Sequence, residues 1–360
     1  VPGPDPVRVF LTMPTRGIAR STDRDYIYHR FVRLAEKHPL SFVPNESLLF
    51  LARATRDYLG LRVRASLRWP IHDELVVPIR VPADADVVFS YGLFPRDRRS
   101  AVPVVWEQTF APASLDVRED ELAAGLRRDR SWAVSRAHTI VTATEASVDW
   151  VRRVFPEARD RVQWVPYYLP ALEPAGEAQT AAKFSSGGPL RILFVGKQAR
   201  RKGLDVLVAA HAMLPSHLQE KLAVTVVSRM LDGRVALPPS FRWHEALVDV
   251  DAAMRDAHVL AFPTKHEAFG LVLVEAMASG CAIVTTKAPI QRSIVGDGGA
   301  RFVDPRRPEE LRDALAALVS ERGLAQTMAA ANLARFRAFW HHDVVGPQYA
   351  SALGAAPGRV

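Results

Sequence analysis

Two doubly wound α/β domains, each built on a parallel sheet and facing each other across a cleft, are what the sequence predicts. Three observations predict them. At 360 residues and 48% hydrophobic content the chain is long for one domain and supplies enough apolar residues for two cores. The stretch 258–286, HVLAFPTKHEAFGLVLVEAMASGCAIVTT, reads as strand, loop, helix and strand, with breaks at Pro263, Gly270 and Gly280. Between the halves lies LPALEPAGEAQTAAKFSSGGP, residues 169–189, rich in Pro, Ala, Gly and Ser and without an apolar period, which reads as an interdomain linker.

In the first half, Val7–Met13 is a short apolar run expected to form the first buried strand, followed by the loop MPTRGIARSTDRD. Helical spacing covers Asp25–Lys37 and Ser47–Leu59, and Leu61–Trp69 reads as an edge strand protected by arginine. Ala85–Tyr91 and Val102–Trp106 are expected to be buried strands whose ends open into ligand loops. Glu119–Arg136 reads as a helix with Arg127, Arg128 and Arg130 toward water, and Ala137–Tyr168 as strand, helix and strand. In the second half, Arg191–Val195 opens a sheet. The loop GKQARRKG, residues 196–203, and a helix over Leu204–Leu214 follow. A glycine between strand and helix, with Lys197 and Lys202 beside it, meets what a diphosphate requires, close backbone approach and point charges. Ala223–Ser228 is another strand, Glu309–Arg337 a helix, and Ala338–Leu353 a returning C-terminal helix. The adjacent His341 and His342 point to different faces of a helix and read as a solvated kink, not a metal site.

Glu267 in the loop and Glu275 in the helix stand eight residues apart. In one continuous helix that spacing is roughly 12 Å and about 80° of rotation, which excludes a shared proton. It suits one elongated ligand held at two points, with the N–H groups of Phe269, Gly270 and Leu271 between them favouring phosphate. Glu275 has Leu271, Val272, Ala278 and Ser279 at its helical neighbours, a mostly apolar face where an acid without a partner is costly.

This segment resembles the Glu-x7-Glu motif of retaining glycosyltransferases of the GT-B fold, family 4 above all, the group 1 glycosyl transferases. The resemblance is strong over Leu190–Arg337 and holds elsewhere in outline. It implies GT-B architecture, with residues 1–168 as an acceptor-side Rossmann-like domain on which 338–360 pack back, 169–189 as linker and 190–337 as the nucleotide-sugar domain. It implies that Glu267 lies by the donor sugar, that the backbone of Ala268, Phe269, Gly270 and Leu271 holds sugar and phosphate, and that Glu275 takes the ribose hydroxyls. Gly196, Lys197 and Lys202 match the family's Gly-Arg, four residues, Lys-Gly, with Lys197 in place of Arg. Ala268 stands where Gly is usual. The family places a His that touches the donor sugar at the end of the strand ending near Trp106, where this chain has Glu107 and Gln108, so the resemblance makes these two acceptor-side candidates in its place. Arg16 and Gly17 occupy the loop that approaches donor and acceptor, and Arg229, Trp243 and His244 fall in segments on the nucleobase side.

The implied activity is transfer of a sugar from a UDP- or GDP-linked donor to a hydroxyl of a glycan, glycolipid or small molecule, with retention of anomeric configuration, as a hexosyltransferase. Glu267, Lys197 and Lys202 would be its catalytic residues. No cofactor and no metal are expected, since fixed cations meet the leaving diphosphate and no Asp-x-Asp cluster is visible. The alternatives are a catalytically silent GT-B scaffold subunit and a nucleotide-sugar epimerase on the same fold. The net charge of +8 is spread along the chain without a basic block, which argues against nucleic acid and suits an anionic partner such as a nucleotide diphosphate or an acidic membrane surface. A single cysteine, no run of eighteen apolar residues and no signal-peptide pattern lead to the expectation of a cytoplasmic protein, at most peripheral to the inner face of the membrane.

Overall fold

The computed structural model describes residues 5–12, 31, 33–44, 75–77, 80–91, 93–95, 101–107, 118–246 and 249–354. They fall into two compact units, the first of residues 1–110, 119–170 and 342–360, the second of residues 111–118 and 171–341. Among the described residues no helix is long and apolar enough to cross a membrane.

The strands of the first unit are β1 (Val7–Leu11), β2 (Leu40–Pro44), β3 (Leu75–Val77), β4 (Val87–Tyr91), β5 (Leu93–Pro95), β6 (Val104–Glu107), β7 (Thr139–Thr142) and β8 (Val162–Trp164). Six of them form a parallel sheet of order β2-β1-β4-β6-β7-β8, while β3 and β5 pair separately. Side chains alternate across the main sheet, as strand geometry requires. Phe10, Val88, Trp106 and Ile140 pack with the helices α1 (Glu119–Arg136) and α2 (Glu145–Val154). Val9, Leu11, Phe89, Val105 and Val141 pack with Phe31, Leu34, Val345 and Tyr349. Both faces are therefore covered, which is why these strands read as continuous apolar runs. Thr144 caps α2, its hydroxyl accepting from Ser147 N at 3.2 Å. Residues 33–37 are helical, whereas 25–30, Ser47–Leu59 and Leu61–Trp69 lie outside the described residues.

The second unit begins with a correction. Residues 177–185 of the expected linker form a helix, α3 (Glu177–Ser185), whose Thr180 and Phe184 are buried. Phe184 belongs to the unit's core, and Lys183 Nζ donates to Ser279 O at 3.1 Å. Alanine, grouped with Gly, Pro and Ser in the compositional reading, is the strongest helix former, and one large apolar side chain is enough to dock a short helix.

After α3 come β9 (Leu190–Val195), α4 (Leu204–Ala212), α5 (Ser216–Gln219), β10 (Leu222–Val227), β11 (Arg242–His244), α6 (Val250–Asp256), β12 (Val259–Phe262), α7 (Leu271–Ala278), β13 (Ala282–Thr286), α8 (Pro289–Val295) and β14 (Ala300–Val303). The sheet is parallel with order β11-β10-β9-β12-β13-β14. Counted within the unit this is the 3-2-1-4-5-6 order of dinucleotide-binding sheets. Ile192, Phe194, Val224, Val226, Val259, Ala261, Ala282 and Val284 pack against α4 and the two helices that follow β14.

The expected single helix over Glu309–Arg337 is two, α9 (Pro308–Ser320) and α10 (Arg322–Arg335). Glu321 separates them at φ −125° and ψ 78°, outside the helical region. The change of axis lets Leu311, Leu315 and Leu318 on one helix and Ala325, Met328 and Ala329 on the other all reach the same core. A π-helical turn, Phe336–Trp340, follows, and His341 is extended at ψ 140° before the last helix, His342–Ala352, begins. That last helix belongs to the first unit, where Val345, Tyr349 and Ala350 are buried. His341 Nε2 lies 3.7 Å from Glu173 Oε2, while His342 Nδ1 lies 3.2 Å from Lys37 Nζ. These half-buried rings have named partners and are not solvated.

Candidate active site at the strand crossover of the second unit

In a doubly wound sheet the strand order reverses between its first and fourth strands, here β9 and β12, and the loops leaving their carboxyl ends diverge to open a crevice. The loop after β9 is residues 196–203, and the loop after β12 is residues 263–270. The sequence elements singled out for phosphate and sugar chemistry therefore converge at one place, although 65 residues separate Lys202 from Glu267.

Close approach shapes both loops. Gly203 has φ +85°, and a Cβ there would stand 2.0 Å from the carbonyl oxygen of Pro263, so only glycine lets the start of α4 slide beneath the second loop. Gly196 leaves room for the stem of Lys202, whose Cγ would meet a Cβ at 2.8 Å. Lys202 folds back over the strand end, and its Nζ lies 5.2 Å from the centre of the Phe262 ring. There it donates to Glu267 Oε2 in an ion pair whose side chains are only 15% and 10% exposed. Burial pushes the Lys202 ammonium below the ordinary lysine range, and the neighbouring Glu267 carboxylate opposes that shift.

The second loop is pinned from beneath by β13. Thr285 Oγ1 donates to Phe262 O at 2.8 Å and Thr286 Oγ1 to Thr264 O at 2.6 Å. Arg201 ties the loops together. Its guanidinium donates to His266 O at 2.9 Å, and its carbonyl accepts from Lys265 N at 2.9 Å and from Thr264 Oγ1 at 3.3 Å. Lys265 Nζ also reaches Asp205 Oδ2 in the first turn of α4, at 2.5 Å.

Glu267 is in the loop and not on the helix, since α7 starts at Leu271 with Gly270 as its N-cap at φ +96°. Phe269 is buried against Trp340, ring centres 5.7 Å apart, with its N–H 3.5 Å from Glu267 Oε1. The N–H groups of Gly270 and Leu271 head the helix, where its dipole is positive. Ala268 and Leu271 are exposed, and Glu275 is half-buried one turn into α7. Lys197 is exposed at the start of the first loop, its carbonyl accepting from Leu231 N at 2.9 Å. The site thus offers two cations, a helix N-terminus and two carboxylates along one sheet edge.

The remaining predicted positions lie on other elements. Trp243 and His244 lie on the edge strand β11 and are exposed; the Trp243 indole donates to Ser228 O at 3.0 Å and Arg234 lies over its ring at 5.7 Å. Arg229 is exposed just beyond β10. In the first unit Glu107 ends β6 with only 1% exposure, and its Oε2 accepts from Tyr349 OH at 2.5 Å, a tie between the sheet and the last helix. Arg16, Gly17 and Gln108 lie outside the described residues. Sequence reading missed Arg201, Thr264, Thr285, Thr286 and Asp232. The two threonines closing β13 had a signal, being polar residues at the end of an apolar strand.

Residues 177–335 match the family model of glycosyl transferases group 1. The chain is 28% identical over 258 residues to a D-inositol 3-phosphate glycosyltransferase of Xylanimonas cellulosilytica, covering 63% of this chain and 60% of that one. It is 28% identical over 147 residues to the lipopolysaccharide glucosyltransferase WaaG of Escherichia coli, covering 38% and 39%. The chain spans about half the length of the curated relatives it matches. Among solved structures, Anabaena Alr3699/HepE in complex with UDP and glucose superposes with a TM-score of 0.61 at 14% identity, over 97% of this chain and 99% of the other. WaaG superposes with a TM-score of 0.58 at 17% identity, over 98% and 100%. With its two parallel six-stranded sheets the chain has the GT-B fold, and residues 177–335, which carry the converging Gly-Lys and Glu-bearing loops, are similar to the glycosyl transferases group 1.

Proposed function

We propose that the chain transfers a hexosyl group from a nucleotide diphosphate sugar, UDP- or GDP-linked, to a hydroxyl acceptor with retention of anomeric configuration. The observation that carries this reading is the Lys202–Glu267 pair, a cation suited to a phosphate held against a carboxylate suited to a sugar, at the strand crossover. The complex of HepE with UDP and glucose supports a UDP-hexose donor. The likeness to D-inositol 3-phosphate glycosyltransferases supports an acceptor that is a hydroxyl on a phosphorylated polyol, which the net charge of +8 also suits.

In this reading the bond between the anomeric carbon and the β-phosphate oxygen breaks, and the acceptor oxygen bonds to the same face of that carbon. The acceptor proton passes to the departing phosphate oxygen. Lys202, Lys197 and the N–H groups heading α7 meet the charge that grows there, so the stabilisation is largest in the transition state. Glu275 accepts from the ribose hydroxyls, Glu267 lies by the sugar, and the first unit takes the acceptor. Fixed cations hold the diphosphate, and the reading expects turnover without added metal.

The test is a thermal-shift panel of UDP, GDP, ADP and CMP on the wild type, followed by release of free nucleotide diphosphate from the matching donor. UDP or GDP raising the melting temperature, with turnover, supports the reading and eliminates a silent scaffold. No response, or one confined to ADP or CMP, overturns it.

A further inference from the structure

Beyond the residues that face the nucleotide, the loop after β10 holds the backbone of the loop 196–203 at Lys197 and at the two residues before Lys202. Leu231 N donates to Lys197 O at 2.9 Å. Asp232 accepts from two successive N–H groups of the first loop, Arg200 N at 3.2 Å on Oδ1 and Arg201 N at 2.6 Å on Oδ2, directly before Lys202. Arg200 returns the contact through its guanidinium, which donates to Arg234 O at 3.0 Å. The turn that presents Asp232 is strained: Met230 has φ 49°, in the left-handed region that a branchless glycine would occupy at no cost, and its N–H bonds to Ser228 Oγ at 3.1 Å.

Two consecutive N–H groups converging on one point form a nest for an anion. Here the nest is filled by the chain's own carboxylate, so Arg200 N and Arg201 N are committed to Asp232 and an incoming phosphate meets the Lys197 and Lys202 side chains. We propose that Asp232 is a positioning residue for the diphosphate: it fixes the loop 196–203 so that both ammonium groups address the phosphates, a role that rests on the nucleotide-sugar reading above. Asp232 itself touches neither substrate nor reacting atoms.

The sign of the effect separates positioning from mere charge. A carboxylate near a diphosphate repels it, so if charge alone mattered, removing Asp232 would tighten binding. If Asp232 positions the loop, removal weakens binding. Isothermal titration of wild type, Asp232→Ala and Asp232→Asn should use the nucleoside diphosphate that the wild type binds and the corresponding monophosphate. Asp232→Ala is expected to lower diphosphate affinity about tenfold, the scale of one charge-assisted hydrogen bond. Asp232→Asn, which keeps one oxygen acceptor, should lose less. In both variants the ratio of diphosphate to monophosphate affinity should fall. Unchanged or tighter diphosphate binding, or equal loss for both nucleotides, overturns the assignment, as does wild-type affinity in Asp232→Asn should Asp232→Ala fail to fold. A wild type that binds none of UDP, GDP, ADP or CMP defeats the nucleotide-sugar reading itself, and the role of Asp232 with it.

Discussion

Replacing Glu267 by glutamine should move stability and nucleotide affinity in opposite directions. In the protein the Glu267 carboxylate and the Lys202 ammonium are each other's close partner, with side chains 10% and 15% exposed. Removing one charge from a buried pair leaves the other uncompensated, which costs about 3–5 kcal/mol when no acceptor remains. Glutamine keeps an oxygen that Lys202 can reach, so the loss is expected nearer ~1.5–3 kcal/mol, the scale of a hydrogen bond to a charged group. A diphosphate faces the reverse situation. In the wild type it must draw Lys202 away from a carboxylate that also repels it. In Glu267→Gln the ammonium awaits an anion, and recovery of about 1–2 kcal/mol corresponds to roughly 5- to 30-fold tighter binding of free nucleotide diphosphate.

Denaturant unfolding of the second unit's transition, beside calorimetric titration with UDP or GDP, reads both quantities. Lower stability with higher affinity confirms that the two groups are coupled through Lys202. Parallel loss of both means that Glu267 holds the loop or the nucleotide directly. No change in either means that the pair does not form in solution. Turnover should fall whichever way affinity moves, because the carboxylate that the proposed function sets beside the sugar is gone.

Glu275→Gln should weaken nucleotide diphosphate binding by about 1.5–3 kcal/mol if the carboxylate accepts from ribose hydroxyls, and unchanged calorimetric affinity in a folded variant refutes that role. His258 is buried, its Nδ1 accepting from Arg191 N at 2.9 Å and its Nε2 donating to Lys183 O at 2.9 Å, and burial lowers its pKa to about 4. The unfolded chain then takes up a proton near pH 6.5 that the folded chain refuses, so this stability is complete above that pH and is lost as pH falls toward 4, by about 3 kcal/mol in all. The second unit's unfolding free energy should drop between pH 7 and pH 4.5 in the wild type and lose that component in His258→Gln. Identical pH profiles would contradict the neutral, doubly bonded ring.

What the sequence made legible were features whose cause is local. Residues 258–286 announced β12, α7 and β13 because apolar runs, Pro263, Gly270 and Gly280 each act on their own neighbours. The same holds for β9 and α4, where Gly196 and Gly203 punctuate the chain. Helix α3 was hidden because its nine residues carry one large apolar side chain, Phe184, whose value appears only against the folded sheet. The site was legible as a set of groups but not as contacts. Lys202 and Glu267 each pointed to ligand chemistry, yet nothing in 65 residues of separation says that they meet in the free protein. Asp232 carried no signal in the sequence, because its two bonds to the loop 196–203 depend on β9 and β10 being neighbours in the sheet. Glu107 shows the converse. Taken as an acceptor-side group by resemblance, it is the last residue of β6 and is buried with the hydroxyl of Tyr349 on it, a contact 242 residues away in sequence.

The central claim, that the crossover between β9 and β12 stabilises a departing diphosphate, is tested most directly by turnover of Lys202→Ala beside wild type. Each should be assayed as release of free nucleotide diphosphate from its donor, with EDTA and with excess magnesium. Since this ammonium meets charge that grows as the sugar leaves, kcat should fall by about 10²–10³, more than the affinity for intact donor falls. The chelator should leave the wild type unchanged, and magnesium should not restore the variant. Full activity in Lys202→Ala, or a wild type silenced by EDTA, would contradict the account of how this protein stabilises its leaving group.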